Sequence, residues 1–542
     1  MSGVQFDRFG ALWLGGVELL RTTTPEPDTG VAPGVHWHVE KDVTDYGAVF
    51  SARPGSVNVT VAIPNVVNPT YTGIEYVRAT LTFYSSVVTC AAAATASTAP
   101  PASGVVTVIP LADPTADPWT ITAITMPNIS LKHTVRVPVA AAGRVSQAFV
   151  DVYVTNHGGS EEFWYTTGAS YRELNLYIDG CLAGAFYPFP VIYSGGVNPL
   201  LWRPMTSVLT LNVPAYRLDV TPFAGLLNDG KPHSYEFYVR DADPVGVWYV
   251  DPVLVLRLQP AGLPKLSGGL ASCHSYMPRD PARTVTVVNT TTPAGRRTTG
   301  HFEFSVQGHL SDGTDTTVSA KLDSTNFNSA GNLLASRERW SSSSLAAVGV
   351  AVDDANDAGD LTTGSMGLKT TVTTEGRGGR HTVRRAVHTY PYRVLDTSRD
   401  DSKGTHTFLL NATVNITRQR SEIFEGAGLV APTELAWELG INASGQYNRS
   451  ETNHSLINLE ANDSNERYTL SVQGGLAGGQ DDNDGGAVSA DDVTAGHACF
   501  SRTLHAQSGH VRSEVALESQ CRGIPKGLRV CGSDLCGFFA AP

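Results

Sequence analysis

Between Tyr171 and Gly180 the chain reads Y-R-E-L-N-L-Y-I-D-G, with Leu174, Leu176 and Ile178 alternating against Asn175, Tyr177 and Asp179. A period of two puts the two sets on opposite faces of an extended chain, and an Asp-Gly pair suits a tight reversal, so a half-buried strand ending in a turn is expected here. The same plan occurs near the amino terminus. Phe6 to Pro25 (F-D-R-F-G-A-L-W-L-G-G-V-E-L-L-R-T-T-T-P) sets a strand against a Gly-Gly turn, and the D-V-T triplet at Asp42–Thr44 parallels the one at Asp219–Thr221. Each triplet precedes another alternating run: Val57, Val59, Val61 and Ile63 in the first copy, Tyr235, Phe237 and Val239 in the second. Two similar β-rich units in tandem follow from this repetition. Asp42 and Asp219 read as bend caps, each carboxylate accepting a nearby backbone N–H.

The rest of the chain keeps to the same class. Its 53 Gly and 31 Pro interrupt short Val/Thr/Tyr-rich runs, and no long stretch holds a helical period, so an all-β fold is expected over 542 residues, enough for about three domains. The expected division is a first unit at 1–112, a linker at 113–126, a second unit at 127–260 and a β-rich region at 261–542. Met1 stands almost directly before the strand at Ala11–Leu14, so the first unit is expected to lack its own start. His36–Val39 should begin a strand toward Asp42, Tyr71–Tyr84 should close the unit, and Ala91–Gly104 reads as an exposed low-complexity insertion. Farther on, a short helix is expected around Pro432–Leu439, loose segments at Ser341–Ser344, Asp353–Gly367 and Gly474–Asp492, and a solvated hairpin at Arg377–Arg385.

A net charge of -12 and a pI near 5.7 argue against a nucleic-acid partner, which needs a basic face. No apolar run reaches membrane-spanning length, and Met1–Leu20 lacks the basic start and apolar core of a leader. The seven cysteines allow Cys499–Cys521 and Cys531–Cys536 as bridges, and the odd count leaves at least one thiol over. Asn-x-Ser/Thr sequons stand at Asn58, Asn128, Asn289, Asn411, Asn415, Asn442, Asn448, Asn453 and Asn462, which fits a glycosylated, secreted or vacuolar chain. The acidic runs Asp353–Asp360 and Asp481–Gly486 lack the spacing of a calcium loop, and His36 and His38 have no evident third ligand. No metal and no cofactor is expected. A G-x-S-x-G elbow is absent as well.

The segments F-D-R-F-G-A-L-W-L-G-G-V-E-L-L-R-T-T-T-P-E-P, V-E-K-D-V-T-D-Y, N-H-G-G-S-E-E-F-W-Y and P-F-P-V-I-Y-S-G-G-V-N-P-L-L-W-R-P, spread over about Val4 to Leu258, closely resemble the plant and fungal acidic peptide:N-glycosidases, the A-type glycoamidases. The resemblance implies a metal-free amidase. It would cleave the bond between the innermost N-acetylglucosamine and asparagine of N-glycosylated peptides or proteins, giving aspartate and a glycosylamine. The two-unit plan also looks like that of the bacterial peptide:N-glycosidases, which implies two tandem jelly-roll β-sandwiches with the site at their junction. In those enzymes an essential aspartate directly precedes an Arg-aromatic pair, matched here by Asp7-Arg8-Phe9, and a glutamate beside a tryptophan in the second unit supports it, matched by Glu161 or Glu162 ahead of Trp164.

Hydrolysis of an unactivated amide needs a base to deliver water, stabilisation of the tetrahedral oxyanion and a proton for the leaving nitrogen. Asp7 is expected to activate the water and Glu161 or Glu162 to orient water and substrate. Arg8, Arg172 or Arg203 would face the oxyanion, and Trp164, Tyr165, Trp202 and the Tyr187–Phe189 cluster either stack on sugar or fill a core. Arg203, between Trp202 and Pro204, is expected at the rim of a cleft. The alternative from another class is a non-catalytic carbohydrate-binding β-sandwich protein, because a jelly roll serves either purpose. Partners are then N-glycosylated peptides or proteins for a monomer, with neither nucleic acid nor membrane.

Overall fold

The computed structural model describes residues 9–25, 35–51, 57–69, 71–83, 105–112, 123–125, 130–157, 172–194, 196–197, 199–240, 246–273, 283–291, 294–329, 358–376, 380–400, 407–426, 432–450, 456–474, 497–507 and 510–518. These residues are nearly all β and form four antiparallel sheets. Sheet one runs β2-β1-β3, from β1 (Phe9–Leu14), β2 (Val17–Thr23) and β3 (Val59–Ala62). Sheet two runs β10-β7-β12-β4 with β5 also on β12, from β4 (Val105–Pro110), β5 (Ala123–Thr125), β7 (Val145–His157), β10 (Ala215–Asp219) and β12 (Val247–Leu258). Sheet three runs β6-β11-β8-β9, from β6 (Ser130–Arg136), β8 (Glu173–Ile178), β9 (Cys181–Phe186) and β11 (Pro232–Arg240). Sheet four holds β13 (Gly268–Ser272), β14 (Arg283–Thr291), β15 (Ala294–Leu310), β16 (Asp315–Ser329), β17 (Ala358–Gly376), β18 (Arg380–Asp400), β19 (Thr407–Gly426), β20 (Thr433–Ser450), β21 (Leu456–Gly474), β22 (His497–Gln507) and β23 (His510–Glu518).

The two repeated sequences fold alike. β1 turns into β2 through Gly15 and Gly16 at φ 59° and 84°, and β8 turns into β9 through Asp179 and Gly180 at φ 48° and 80°. Two consecutive positive φ values match the right-handed strand twist across a two-residue loop, and Gly and Asp are the residues that reach them at low cost. Each hairpin carries a bulge after the fourth residue of its first strand. Leu12 pairs with Leu20 while Trp13 pairs with Glu18, passing over Leu19; Leu176 pairs with Gly184 while Tyr177 pairs with Leu182, passing over Ala183. β3 then flanks β1 as β11 flanks β8. The two D-V-T bends also coincide: Val43 and Val220 share φ -111° with ψ 18° and 23°. The Thr44 and Thr221 N–H groups donate to Asp42 Oδ1 and Asp219 Oδ1 at 2.8 and 3.0 Å, as the capping reading requires.

Sheet two is the middle layer. Phe149, Val253 and Val255 pack with Leu14, Val17, Leu19 and Tyr46 of the amino-terminal part, while Ala148, Val150, Val152 and Val154 pack with Leu174 and Leu176 of sheet three. Burial on both faces accounts for the near-continuous apolar run of β7. β4 and β5 complete this sheet by pairing with β12, although residues 105–110 and 123–125 precede the second unit in sequence.

Sheet four lays one face over sheets two and three, and its core is continuous with theirs. Its central strands bury alternate residues along much of their length. In β20, Leu435, Trp437, Leu439, Ile441 and Ala443 are all buried, with their neighbours turned outward. The helix expected around Pro432–Leu439 is therefore part of a strand: the period is two, and pairing with both β19 and β21 overrides local helix-forming residues. Residues 358–367, expected to be loose, likewise begin β17, where Met366 supplies a core contact. The chain does reverse where a solvated hairpin was expected at Arg377–Arg385, with Gly376 pairing with Arg380, but Val383 is buried in sheet four rather than solvated. Ser341–Ser344 and Ala91–Gly104 lie outside the described residues.

Three further expectations change. β8 is buried on both faces, because its polar face meets charged groups of its neighbours: Arg283 Nη2 donates to Glu173 Oε1 at 2.6 Å and to Asn175 Oδ1 at 2.9 Å. Residues 71–83 alternate but have no strand partner among the described residues, leaving Tyr76 and Phe83 78% and 72% exposed. Residues 36–43 form no strand either. Cys181 and Cys273 form a disulfide that fastens β9 to the residue after β13 across 92 positions; of the other expected bridge cysteines, Cys521, Cys531 and Cys536 lie outside the described residues.

Candidate active site

The bulge in β2 decides the chemistry at the junction of sheets one and two. In a regular strand Glu18 and Arg21 would point to opposite faces; passing over Leu19 brings them to the same face. Both are fully buried, at 0% exposure. The guanidinium grips the carboxylate in a fork, with Nε to Oε1 and Nη2 to Oε2 each at 2.7 Å. Its Nη1 donates to Thr155 Oγ1 at 3.0 Å and to the Tyr249 carbonyl at 2.7 Å. The carbonyl of bulge residue Leu19 accepts from the Tyr153 hydroxyl at 2.8 Å. Burial opposes the charge on Arg21, and the adjacent Glu18 carboxylate more than offsets it, so its pKa stands above the ordinary value.

Two buried aspartates from sheet two face the same seam. Asp251 Oδ2 accepts from Trp13 Nε1 at 2.6 Å. Burial, then the neighbouring charge of Glu18, raise the Asp251 pKa well above the usual carboxylate range. Asp151 instead accepts both nitrogens of a fork from Arg217 at 2.7 Å and the Tyr46 hydroxyl at 2.7 Å. Arg217 also reaches Asp45 at 2.7 Å, which ties the first D-V-T bend to β10.

Above Arg21 lies an aromatic group at the strand ends. The Phe9 ring is 5.3 Å from the Arg21 guanidinium carbon, 5.3 Å from the Tyr249 ring in a stacked arrangement and 4.5 Å from His157. His157 also contacts Tyr249 and Tyr193 at 4.8 and 5.6 Å. Burial, with Arg21 adding to it, lowers the His157 pKa to about 3, so the imidazole is neutral over the mildly acidic range, and its Nε2 has no hydrogen-bond partner among the described residues. The first residue of β1 and the last of β7 thus meet.

Asp7, Arg8, Glu161, Glu162, Trp164 and Tyr165 lie outside the described residues; in sequence Asp7 and Arg8 lead directly into Phe9, and Glu161 follows His157 by four positions. Trp202 is 1% exposed and its Nε1 donates to the Gly196 carbonyl at 2.9 Å, so its ring fills core. Tyr187 and Phe189 are buried too, the latter 5.3 Å from Tyr390 of sheet four. Arg172 is buried beside the Glu173 ion pair, and Arg203 is half-buried. Among the sequons Asn58, Asn289, Asn415 and Asn442 are exposed, Asn411, Asn448 and Asn462 fall within strands of sheet four, and Asn128 and Asn453 lie outside the described residues. Glu18, Arg21, Asp251 and His157 were not singled out in the sequence. An E-x-x-R spacing carries no meaning on a regular strand, and only the register shift makes it a pair.

A groove of about 460 Å³ lined by His301, Asp323, Lys369 and Thr389 among others lies on sheet four and shares no residue with this junction. Among the described residues no helix is long and apolar enough to cross a membrane.

Residues 1–250 match the family described as Peptide N-acetyl-beta-D-glucosaminyl asparaginase amidase A. A protein of Prunus dulcis named Peptide-N4-(N-acetyl-beta-glucosaminyl)asparagine amidase A is 34% identical over 295 residues, covering 51% of this chain and 49% of the relative. The chain thus spans about half the length of the curated relative it matches. No solved structure matches it.

Proposed function

Because residues 1–250 belong to the peptide N-acetyl-beta-D-glucosaminyl asparaginase amidase A family, we propose that the chain hydrolyses the amide bond between the innermost N-acetylglucosamine and asparagine of N-linked glycopeptides. In this reading Asp7 takes a proton from water, whose oxygen adds to the side-chain carbonyl carbon of asparagine. Glu161 or Glu162 orients the water and the sugar. Collapse of the tetrahedral intermediate breaks the carbon–nitrogen bond and passes a proton to the nitrogen, leaving aspartate and a glycosylamine. Arg8, with Arg172 or Arg203 from the second unit, offers positive charge to the oxyanion, each good donor contributing about 3 kcal/mol. Trp164 and Tyr165 stack on sugar.

The observation that supports this reading is the 4.5 Å contact between Phe9 and His157, since Asp7 and Arg8 directly precede Phe9 in sequence and Glu161 and Glu162 follow His157 by four and five positions. Burial of Trp202 makes it part of the core rather than a surface for sugar. The Cys181–Cys273 disulfide and the exposed sequons support a secreted or vacuolar glycoprotein.

The test is incubation of the full chain with an N-glycopeptide at mildly acidic pH, with mass spectrometry of the peptide. Conversion of Asn to Asp with release of the glycan is expected, and Asp7→Asn should lower turnover by at least a hundredfold while glycan binding persists. Binding without any release by the wild-type chain would leave a carbohydrate-binding protein and overturn the amidase reading.

A further inference from the structure

The repeated hairpins provide an internal control for the buried ion pair. Both have the same length, the same two-residue turn and the same bulge, so Glu18 of the first corresponds to Leu182 of the second and Arg21 to Ala185. The second hairpin is as deeply buried as the first and builds the bulge with apolar residues at both places. A charge pair is therefore not what the bulged hairpin requires. Replacing a buried ion pair by apolar residues of similar volume is commonly neutral or stabilising. An explanation for the charges in the first hairpin must come from what they touch.

What Arg21 touches is specific. Its guanidinium bonds Thr155, two residues before the end of β7, and the carbonyl of Tyr249 on β12, and it underlies Phe9, the first residue of β1. Three strands from two sheets are brought to one planar group whose orientation Glu18 holds through two parallel bonds. A guanidinium suits this task because five donors in a fixed plane leave little rotational freedom once the fork is closed.

We propose that the Glu18–Arg21 pair is a positioning device that fixes the start of β1 against the ends of β7 and β12. Resting on the amidase reading, it holds Phe9 against His157, the two strand ends that lead in sequence to Asp7 and to Glu161 and Glu162. Arg21 acts through Phe9 and Thr155; it is not a catalytic group. Misplacement of reacting groups by about 1 Å can cost about a hundredfold in rate, while the substrate is still held by its remote contacts.

The experiment uses the full chain with Glu18→Leu/Arg21→Met, which preserves volume and follows the apolar pattern of the second hairpin. The expected result is a melting temperature equal to or above wild type, kcat on an N-glycopeptide lower by about a hundredfold, and KM within about twofold. Hydrogen exchange should accelerate at residues 9–11 and 155–157 and not elsewhere. A double variant with wild-type kcat, or one whose lost activity only follows lost folded protein, overturns the proposal. Phe9→Leu is the second variant: it removes the ring over Arg21 from a half-buried position and should reproduce the kcat loss without unfolding. Wild-type kcat in that variant also counts against the proposal. If the wild-type chain releases no glycan, the amidase reading fails, and the exchange measurement alone judges the positioning role, unchanged protection at both strand ends overturning it.

Discussion

His157 shows how a single side chain links packing to pH. Its folded pKa of about 3 lies below the ordinary value of 6.5, because burial, reinforced by the nearby Arg21 charge, disfavours the imidazolium. Between those values the unfolded chain binds a proton that the folded chain does not. The contribution is therefore complete above pH 6.5 and is lost as pH falls toward 3. Wild type should accordingly lose melting temperature on acidification from pH 6.5 to 4 more steeply than His157→Gln, as calorimetry at a series of pH values would show. Equal slopes would mean that His157 is not held neutral. The same environment works in the opposite sense on Asp251, where burial, then the Glu18 charge, raises the carboxyl pKa.

Elements meet here by backbone approach as much as by side-chain packing. Gly308 of β15 lies against the carbonyl of Pro222, in the bend that follows the second D-V-T triplet, and a Cβ at that position would overlap it. A rigid carbonyl within a buried bend cannot swing aside. Gly308→Ala should therefore destabilise the protein by about 3 kcal/mol, at the upper end of overpacking effects, measurable as a drop in melting temperature; a neutral outcome would show that sheet four does not seat on this bend. Arg418 marks the same interface. Its guanidinium is buried among the rings of Tyr216, Tyr390 and Trp437 at 5.9, 5.9 and 5.2 Å, an arrangement of one strand from sheet two and two from sheet four around a cation.

At the scale of the molecule the apolar core runs without a break from Val150 and Leu176 through Phe302 and Leu322 to Trp437. A fragment ending at residue 260 would expose the faces of Phe189 and Tyr216 that sheet four now covers. Expressed alone it should bind a hydrophobic dye or aggregate, and a monodisperse fragment with native-like near-ultraviolet dichroism would contradict this. The sequence alone determined the β class, the two glycine-assisted turns, the Asp-capped bends and the repeated plan, because each depends on residues within a few positions: a period of two, a positive φ, a carboxylate reaching its own backbone. The tertiary structure decided what those local features became. It buried the polar face of β8 against Arg283, drew Pro432–Leu439 into a strand between two others, left residues 71–83 outside every strand among the described residues and joined Cys181 to a partner 92 positions away. It also turned Glu18 and Arg21 toward each other. The physical reason is the same in every case: burial, strand pairing and register are set by neighbours distant in sequence, and no local pattern records them.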